Sequence, residues 1–144
     1  MMILFDTNVL MDMYLPESSR HNTALRLGNY LGENKITVRL PTLAMFELVA
    51  VFKNKLIVNK EQKYKEDPLP FKTSMIAITK SFIDEYLDVQ LPYLKGADFL
   101  FLCIAAKEKI PFITEDIAIY KKAKEADLEV YKIQEFLDKF DIIK

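Results

Sequence analysis

Ile3-Leu4-Phe5 is an apolar run that stops at Asp6-Thr7-Asn8, the pattern of a buried strand ending at a polar turn. Val9-Leu10-Met11 resumes apolar character as the first turn of a helix. Ala24, Leu25, Leu27 and Leu31 then recur at helical spacing, with Asn22 as a cap and Gly32-Glu33-Asn34 as the stop. Ile36, Val38 and Leu40 alternate strictly and predict a strand over 35–40. Thr42 is placed as the N-cap of a helix over 43–52, where Leu43, Phe46 and Ala50 keep helical spacing. Leu48, Val49 and Val51 make much of the remaining surface of that helix apolar. Glu47 stands alone among them.

Residues 54–71 are rich in lysine and contain Asp67-Pro68-Leu69-Pro70, which reads as a loop or a break between helices rather than a domain boundary. A helix is predicted over 74–86, with Met75, Ile78, Phe82, Ile83 and Tyr86 in register. Val89-Gln90-Leu91 reads as a short strand ending at Pro92. A buried helix follows over 97–108, with Asp98 in its first turn. Phe112-Ile113 is a short strand running into Thr114-Glu115-Asp116. A helix over 117–126, a last strand at Val130-Tyr131 and an amphipathic helix over 133–140 complete the chain.

Strands alternating with helices over short links predict one domain over 1–144. Its expected architecture is a three-layer α/β/α sandwich around a mostly parallel sheet. Such sheets take ligands at the carboxyl ends of their strands, near a topological switch point. Asp6 and Asp116 both follow closely on predicted strands.

The 144 residues suffice for one core, and a composition 51% hydrophobic and 28% charged belongs to a folded chain rather than a disordered one. The formal net charge of -1 excludes a protein coated in positive charge. Nucleic acid stays open as a partner, because acids gathered in a metal site lower the total while lysines elsewhere meet phosphate. Cys103 is the single cysteine, so no internal disulfide forms, and its apolar neighbours place it in the core. His21 is the single histidine and reads as a surface or cap residue, leaving too little for an ordinary zinc site. Bound metal is therefore expected to use oxygen ligands. The apolar start is too short for a signal segment and no run reaches membrane-spanning length, so a cytoplasmic location is expected.

Each acid has a bland reading when taken alone. Asp6 can end a strand or cap a helix, Asp98 can answer the dipole of its helix, and Asp116 suits a strand-to-helix turn. Glu47 is harder to explain, because a carboxylate among Phe46, Leu48, Val49, Val51 and Phe52 is costly unless paired or bound to metal. Four acids brought together would repel one another, and a hard cation such as Mg²⁺ or Mn²⁺ would remove that penalty. The chemistry that uses such a cluster is phosphodiester hydrolysis, in which the ion polarises the phosphoryl group and activates water.

Ile3-Leu4-Phe5-Asp6-Thr7-Asn8-Val9-Leu10 resembles the opening motif of the PIN-domain family. Glu47, in the helix after Leu40-Pro41-Thr42, resembles that family's second acid. Gly96-Ala97-Asp98, leading into the helix through Ala105-Ala106, resembles the third, and Phe112-Ile113-Thr114-Glu115-Asp116 the fourth. The resemblance runs over nearly the whole chain and is closest in length to small single-domain members, including toxins of the VapC type. It implies a Mg²⁺- or Mn²⁺-dependent ribonuclease with Asp6, Glu47, Asp98 and Asp116 around the metal. It further implies Thr7, Asn8 and Thr114 as polar residues orienting carboxylates and water, pairing into homodimers, and a small antitoxin as partner. For those three, turn and cap chemistry is the competing reading.

Lys53, Lys55, Lys60, Lys63 and Lys65, with Tyr64, are candidates for RNA backbone contact and base stacking; a solvated loop is the better reading of any single one of them. Asp12 and Glu115 lie outside the family's main acidic positions. A haloacid-dehalogenase-type phosphatase would need an aspartate where Asn8 stands. The other class of function is a PIN-like module that has lost its nuclease and only binds RNA or protein.

Overall fold

Ile3, Leu4 and Phe5 have no exposed surface, because they form the central strand of a sheet covered on both faces. The protein is described by a computed structural model over residues 1–54 and 69–140. Within them lie strands β1 (Met2–Phe5), β2 (Thr37–Pro41), β3 (Thr73–Ile76), β4 (Phe112–Ile113) and β5 (Val130–Tyr131). All four strand pairings are parallel, in the order β3-β2-β1-β4-β5.

The described helices are α1 (Thr7–Tyr14), α2 (His21–Glu33), α3 (Thr42–Asn54), α4 (Lys80–Tyr86), α5 (Gly96–Glu108), α6 (Ile117–Glu125) and α7 (Ile133–Lys139). Helix α1 packs on α2 and α3, and α2 on α7, while α5 packs on α4, α6 and β1. The result is the three-layer α/β/α sandwich expected of alternating strands and helices. From β1 the chain moves outward through β2 to β3, then crosses back to the other side of β1 for β4 and β5. The reversal lies between β1 and β4, so residues just after these two strands face one crevice.

Two sequence expectations fail in the middle of the chain. Residues 73–76 form the edge strand β3, paired from Val38↔Thr73 to Pro41↔Ile76, and not the start of a helix over 74–86. Helix α4 begins only after Thr79, whose hydroxyl accepts a hydrogen bond from the Phe82 amide at 3.1 Å. Apolar residues at helical spacing were present, but the long-range pairing with β2 decides the conformation of the first four. With that edge occupied by β3, Val89-Gln90-Leu91 is not a strand.

Helix α3 also presents a different face from the expected one. Ala44, Leu48 and Phe52 are its buried stripe, whereas Phe46 is 71% exposed. An apolar residue at nearly every position hides which stripe the core selects. Thr42 is the first residue of this helix rather than a cap outside it.

Helix α2 ends in a Schellman arrangement. Lys35 adopts φ 54°, its amide donates to the Gly32 carbonyl at 3.2 Å, and the Ile36 amide donates to the Leu31 carbonyl at 2.9 Å. Gly32 therefore lies inside the last turn and is not the helix stop. Its role is close approach: a Cβ there would run into the carbonyl oxygen of Pro70, and one on Gly28 would sit 3.2 Å from the Pro70 ring. Phe71, next in the chain, stacks edge-on against Phe5 at 5.6 Å. Gly32→Ala is expected to lower unfolding free energy by about 2 kcal/mol, because the strain of overpacking exceeds the ~1 kcal/mol gained in helix propensity. Urea unfolding checks this, and unchanged or greater stability would show that the Pro70 segment gives way freely.

Candidate active site

The β1–β4 pairing does not stop with the strands. The Asp6 amide donates to the Ile113 carbonyl at 3.0 Å, which carries Asp6 alongside the start of Thr114-Glu115-Asp116. Thr114, fully buried, donates its hydroxyl to Asp6 Oδ2 at 2.6 Å and accepts from the Asp116 amide at 3.1 Å. Asn8 Oδ1 accepts from the Glu115 amide at 3.4 Å. One threonine thus fixes both the first carboxylate and the backbone of the last. Thr7 donates its hydroxyl to Glu47 Oε1 at 3.3 Å, linking α1 to α3.

The four acids lie within one another's electric field. The Asp6 carboxyl is pushed up to about 6: burial raises it most, hydrogen bonds from Thr114 and Thr7 hold it down, and the charges of Asp116 and Asp98 add to the rise. Glu47 is raised by burial, lowered by its Thr7 hydrogen bond and raised again by Asp98. Asp98 is raised by burial and then by Asp116, against the cation of Lys95. Asp6 is 6% exposed, and a charge held that deep needs partners.

The bland readings fare differently at each acid. Asp116 is a true helix cap, its Oδ1 accepting from the Ile119 amide at 2.9 Å, which leaves Oδ2 without a partner among the described residues. Asp6 occupies the position before α1 but makes no side-chain cap bond. Asp98 lies in the first turn of α5, where no side chain caps the helix, and its carboxylate has no hydrogen-bond donor among the described residues. Glu47 is half-buried rather than enclosed by its apolar neighbours.

The donor set suits a hard cation: carboxylate oxygens only, several unpartnered, and mutual repulsion that positive charge would relieve. Among the described residues no three side chains are already closed around one point as an ion cage. The fit is one of donor chemistry and charge.

Glu115 and Asp12 stand beside these acids in a second network. Glu115 Oε1 accepts from the Ile133 amide at 2.9 Å, and Lys132 Nζ donates to the Glu115 carbonyl oxygen at 2.9 Å. Asp12 is buried and holds Ser18 Oγ at 2.7 Å and Arg20 Nε at 2.7 Å, while Arg20 Nε also lies 4.0 Å from Glu115. His21 turns Nδ1 to the Asp12 carbonyl oxygen at 2.8 Å, so its place is the α1–α2 corner. Sequence reasoning missed Ser18, Arg20 and Lys132, because no sequence pattern marks the pairing of Asp12 with residues 6 and 8 further on, or of Glu115 with Arg20 and with Lys132 17 residues on. Lys53 is exposed at the end of α3; Lys55, Lys60, Lys63, Lys65 and Tyr64 lie outside the described residues.

The sequence profile of the PIN domain matches residues 3–125. The fold is similar to VapBC2 from Rickettsia felis bound to a DNA fragment from their promoter, with TM-score 0.62, 18% identity, and 92% of this chain and 98% of that one covered. It is also similar to a PilT N-terminus domain protein from the hyperthermophilic archaeon Sulfolobus solfataricus P2, with TM-score 0.52, 12% identity, and 96% and 92% of the two chains covered. No curated protein matches the sequence at comparable significance. Identities this low speak for the fold, and the profile, spanning most of the chain, shows that it belongs to the PIN domain family.

Proposed function

We propose that residues 1–144 form one nuclease domain that hydrolyses RNA phosphodiesters with Mg²⁺ or Mn²⁺, as a toxin of the VapC type. The observation that supports this reading is the electrostatic coupling among Asp6, Glu47, Asp98 and Asp116, with Asp6 and Asp116 close after β1 and β4 and three carboxyls raised by burial and by their neighbours' charge. PIN domains are generally nucleases, and no other buried acidic group in the described chain lacks a basic partner in this way. Asp12, by contrast, is neutralised by Arg20.

Asp6, Glu47, Asp98 and Asp116 would hold the cation. When bound, it would polarise the scissile phosphate and make an attacking water more acidic. Thr114 donates a hydrogen bond to Asp6 and Thr7 one to Glu47, so each carboxylate has a donor that would orient it for a ligand. Asn8 fixes the loop that carries Asp116. A small antitoxin is a partner this reading implies, in keeping with the likeness to VapBC2, and a second copy of the chain is the other.

RNA cleavage is expected with Mg²⁺ or Mn²⁺, is expected to vanish in excess chelator, and is not expected to return with Zn²⁺ alone, since every donor is an oxygen. A gel assay on single-stranded RNA measures all three conditions. Full activity in chelator would overturn the metal mechanism. RNA binding with no cleavage under any of these ions would instead identify a binding module.

A further inference from the structure

A phosphate approaching four carboxylates is repelled until cations offset their charge. Three cationic side chains stand near the acids or the loop that carries them. Lys95 is exposed on a flexible stem, and Lys132 is committed to the Glu115 carbonyl and to the face of Tyr120 at 5.2 Å. Arg20 is different. Its Nε and one terminal nitrogen grip the two oxygens of buried Asp12 at 2.7 and 3.4 Å. Its other terminal nitrogen has no partner among the described residues, and the side chain is 45% exposed. Ser18 holds Asp12 from a second direction, and its Oγ also accepts from the Arg20 amide at 3.2 Å. The guanidinium is thus clamped along one edge and open along the other. The clamped side lies 4.0 Å from Glu115, the residue beside Asp116.

We propose that Arg20 is a pre-oriented contact for a phosphate of the RNA strand next to the one being cut. The proposal rests on the ribonuclease reading and deepens it by assigning a substrate-binding residue. A guanidinium can serve Asp12 with one edge and a phosphate with the other, whereas an ammonium engages one partner at a time as a point charge. Fixing the fork in advance removes the entropy cost of ordering it when RNA arrives.

The substitution Arg20→Lys separates this role from a structural one, because a lysine still neutralises Asp12. Binding of a short single-stranded RNA is measured in the Asp98→Asn background, where the RNA stays intact, and cleavage is measured with Asp98 present. Arg20→Lys is expected to keep the melting temperature, to weaken RNA binding about tenfold, and to reduce the slope of log affinity against log salt by about 0.7, the value for one lost phosphate contact on a single strand. In cleavage, KM is expected to rise while kcat holds. Arg20→Gln, whose amide also reaches Asp12, serves as the second variant if the first melts early. Unchanged affinity and salt slope in a folded variant would overturn the proposal and leave Arg20 a purely structural partner of Asp12. Arg20-dependent binding without wild-type cleavage would sustain the contact while sinking the nuclease reading. Cleavage with no Arg20 dependence of KM would do the reverse.

Discussion

Asp98→Asn is expected to reduce RNA cleavage on the order of a hundred- to a thousandfold while leaving the protein folded and RNA binding largely intact. The substitution removes a charge and scarcely changes volume. Asp98 is half-buried in the first turn of α5, raised by its burial and by Asp116, and free of any hydrogen-bond donor among the described residues. A carboxylate in that position contributes little to folding, since no helix amide depends on it. Its loss in the metal-free protein relieves repulsion, so the melting temperature in chelator is expected to hold or rise slightly. RNA affinity is expected to come from cations away from the carboxylate and to fall with salt in both proteins. Cleavage at the wild-type rate by folded Asp98→Asn protein would make this aspartate a helix-start residue only. A large drop in melting temperature would point the same way.

Asp6→Asn is expected to stabilise the metal-free protein by about 3 kcal/mol at pH 8. Asp6 titrates near 6 in the folded state against 3.8 for the ordinary group. The folded protein therefore binds this proton more tightly than the unfolded chain does. Stability falls as pH rises through that interval, and above it the full cost of an ionised buried carboxylate remains, at 1.36 kcal/mol for each of roughly two pH units. Asparagine carries no such cost and keeps an oxygen to accept the Thr114 hydroxyl. The advantage is expected to disappear below about pH 4, where Asp6 is protonated in both states. Mg²⁺ is expected to narrow it at pH 8, because binding favours the wild-type protein. Denaturant unfolding across pH, with chelator and with Mg²⁺, checks the sign and the interval. A gain independent of pH would show that desolvation of the charge is not its source.

How much of this was legible before the structure depends on how local each signal is. Ile3-Leu4-Phe5-Asp6 and Phe112-Ile113-Thr114-Glu115-Asp116 carry their own strand and its polar end, so β1, β4 and the acids after them could be read directly. The parallel sheet followed from the alternation of elements, whereas the strand order that puts the switch point between β1 and β4 did not. Strand β3 was not legible, because Thr73 and Met75 are exposed at the sheet edge and Ile78, Phe82 and Tyr86 downstream mimic a longer helix. The exposure of Phe46 was hidden by a helix apolar all round. The clamp of Arg20 on Asp12 leaves no sequence periodicity at all, and the approach of Glu115 to α7 is a matter of packing between the last two strands.

The bond from Thr114 to Asp6 spans 108 residues, and that separation has a consequence during synthesis. Chains emerge from the ribosome N-terminus first, at about 5–20 residues per second. Asp6 is made well before the strand that positions it and the threonine, 108 residues on, that fixes its carboxylate. Backbone support for Thr114 comes later still, from the Tyr131 carbonyl at 3.1 Å. Contacts this distant in sequence close slowly, after the local helices have formed. The nascent chain therefore carries Asp6, Glu47, Asp98 and Asp116 as separate acids until the residues that hold Asp6 in place have been made. The topology itself thus delays assembly of the acidic cluster until the chain has been made as far as Tyr131.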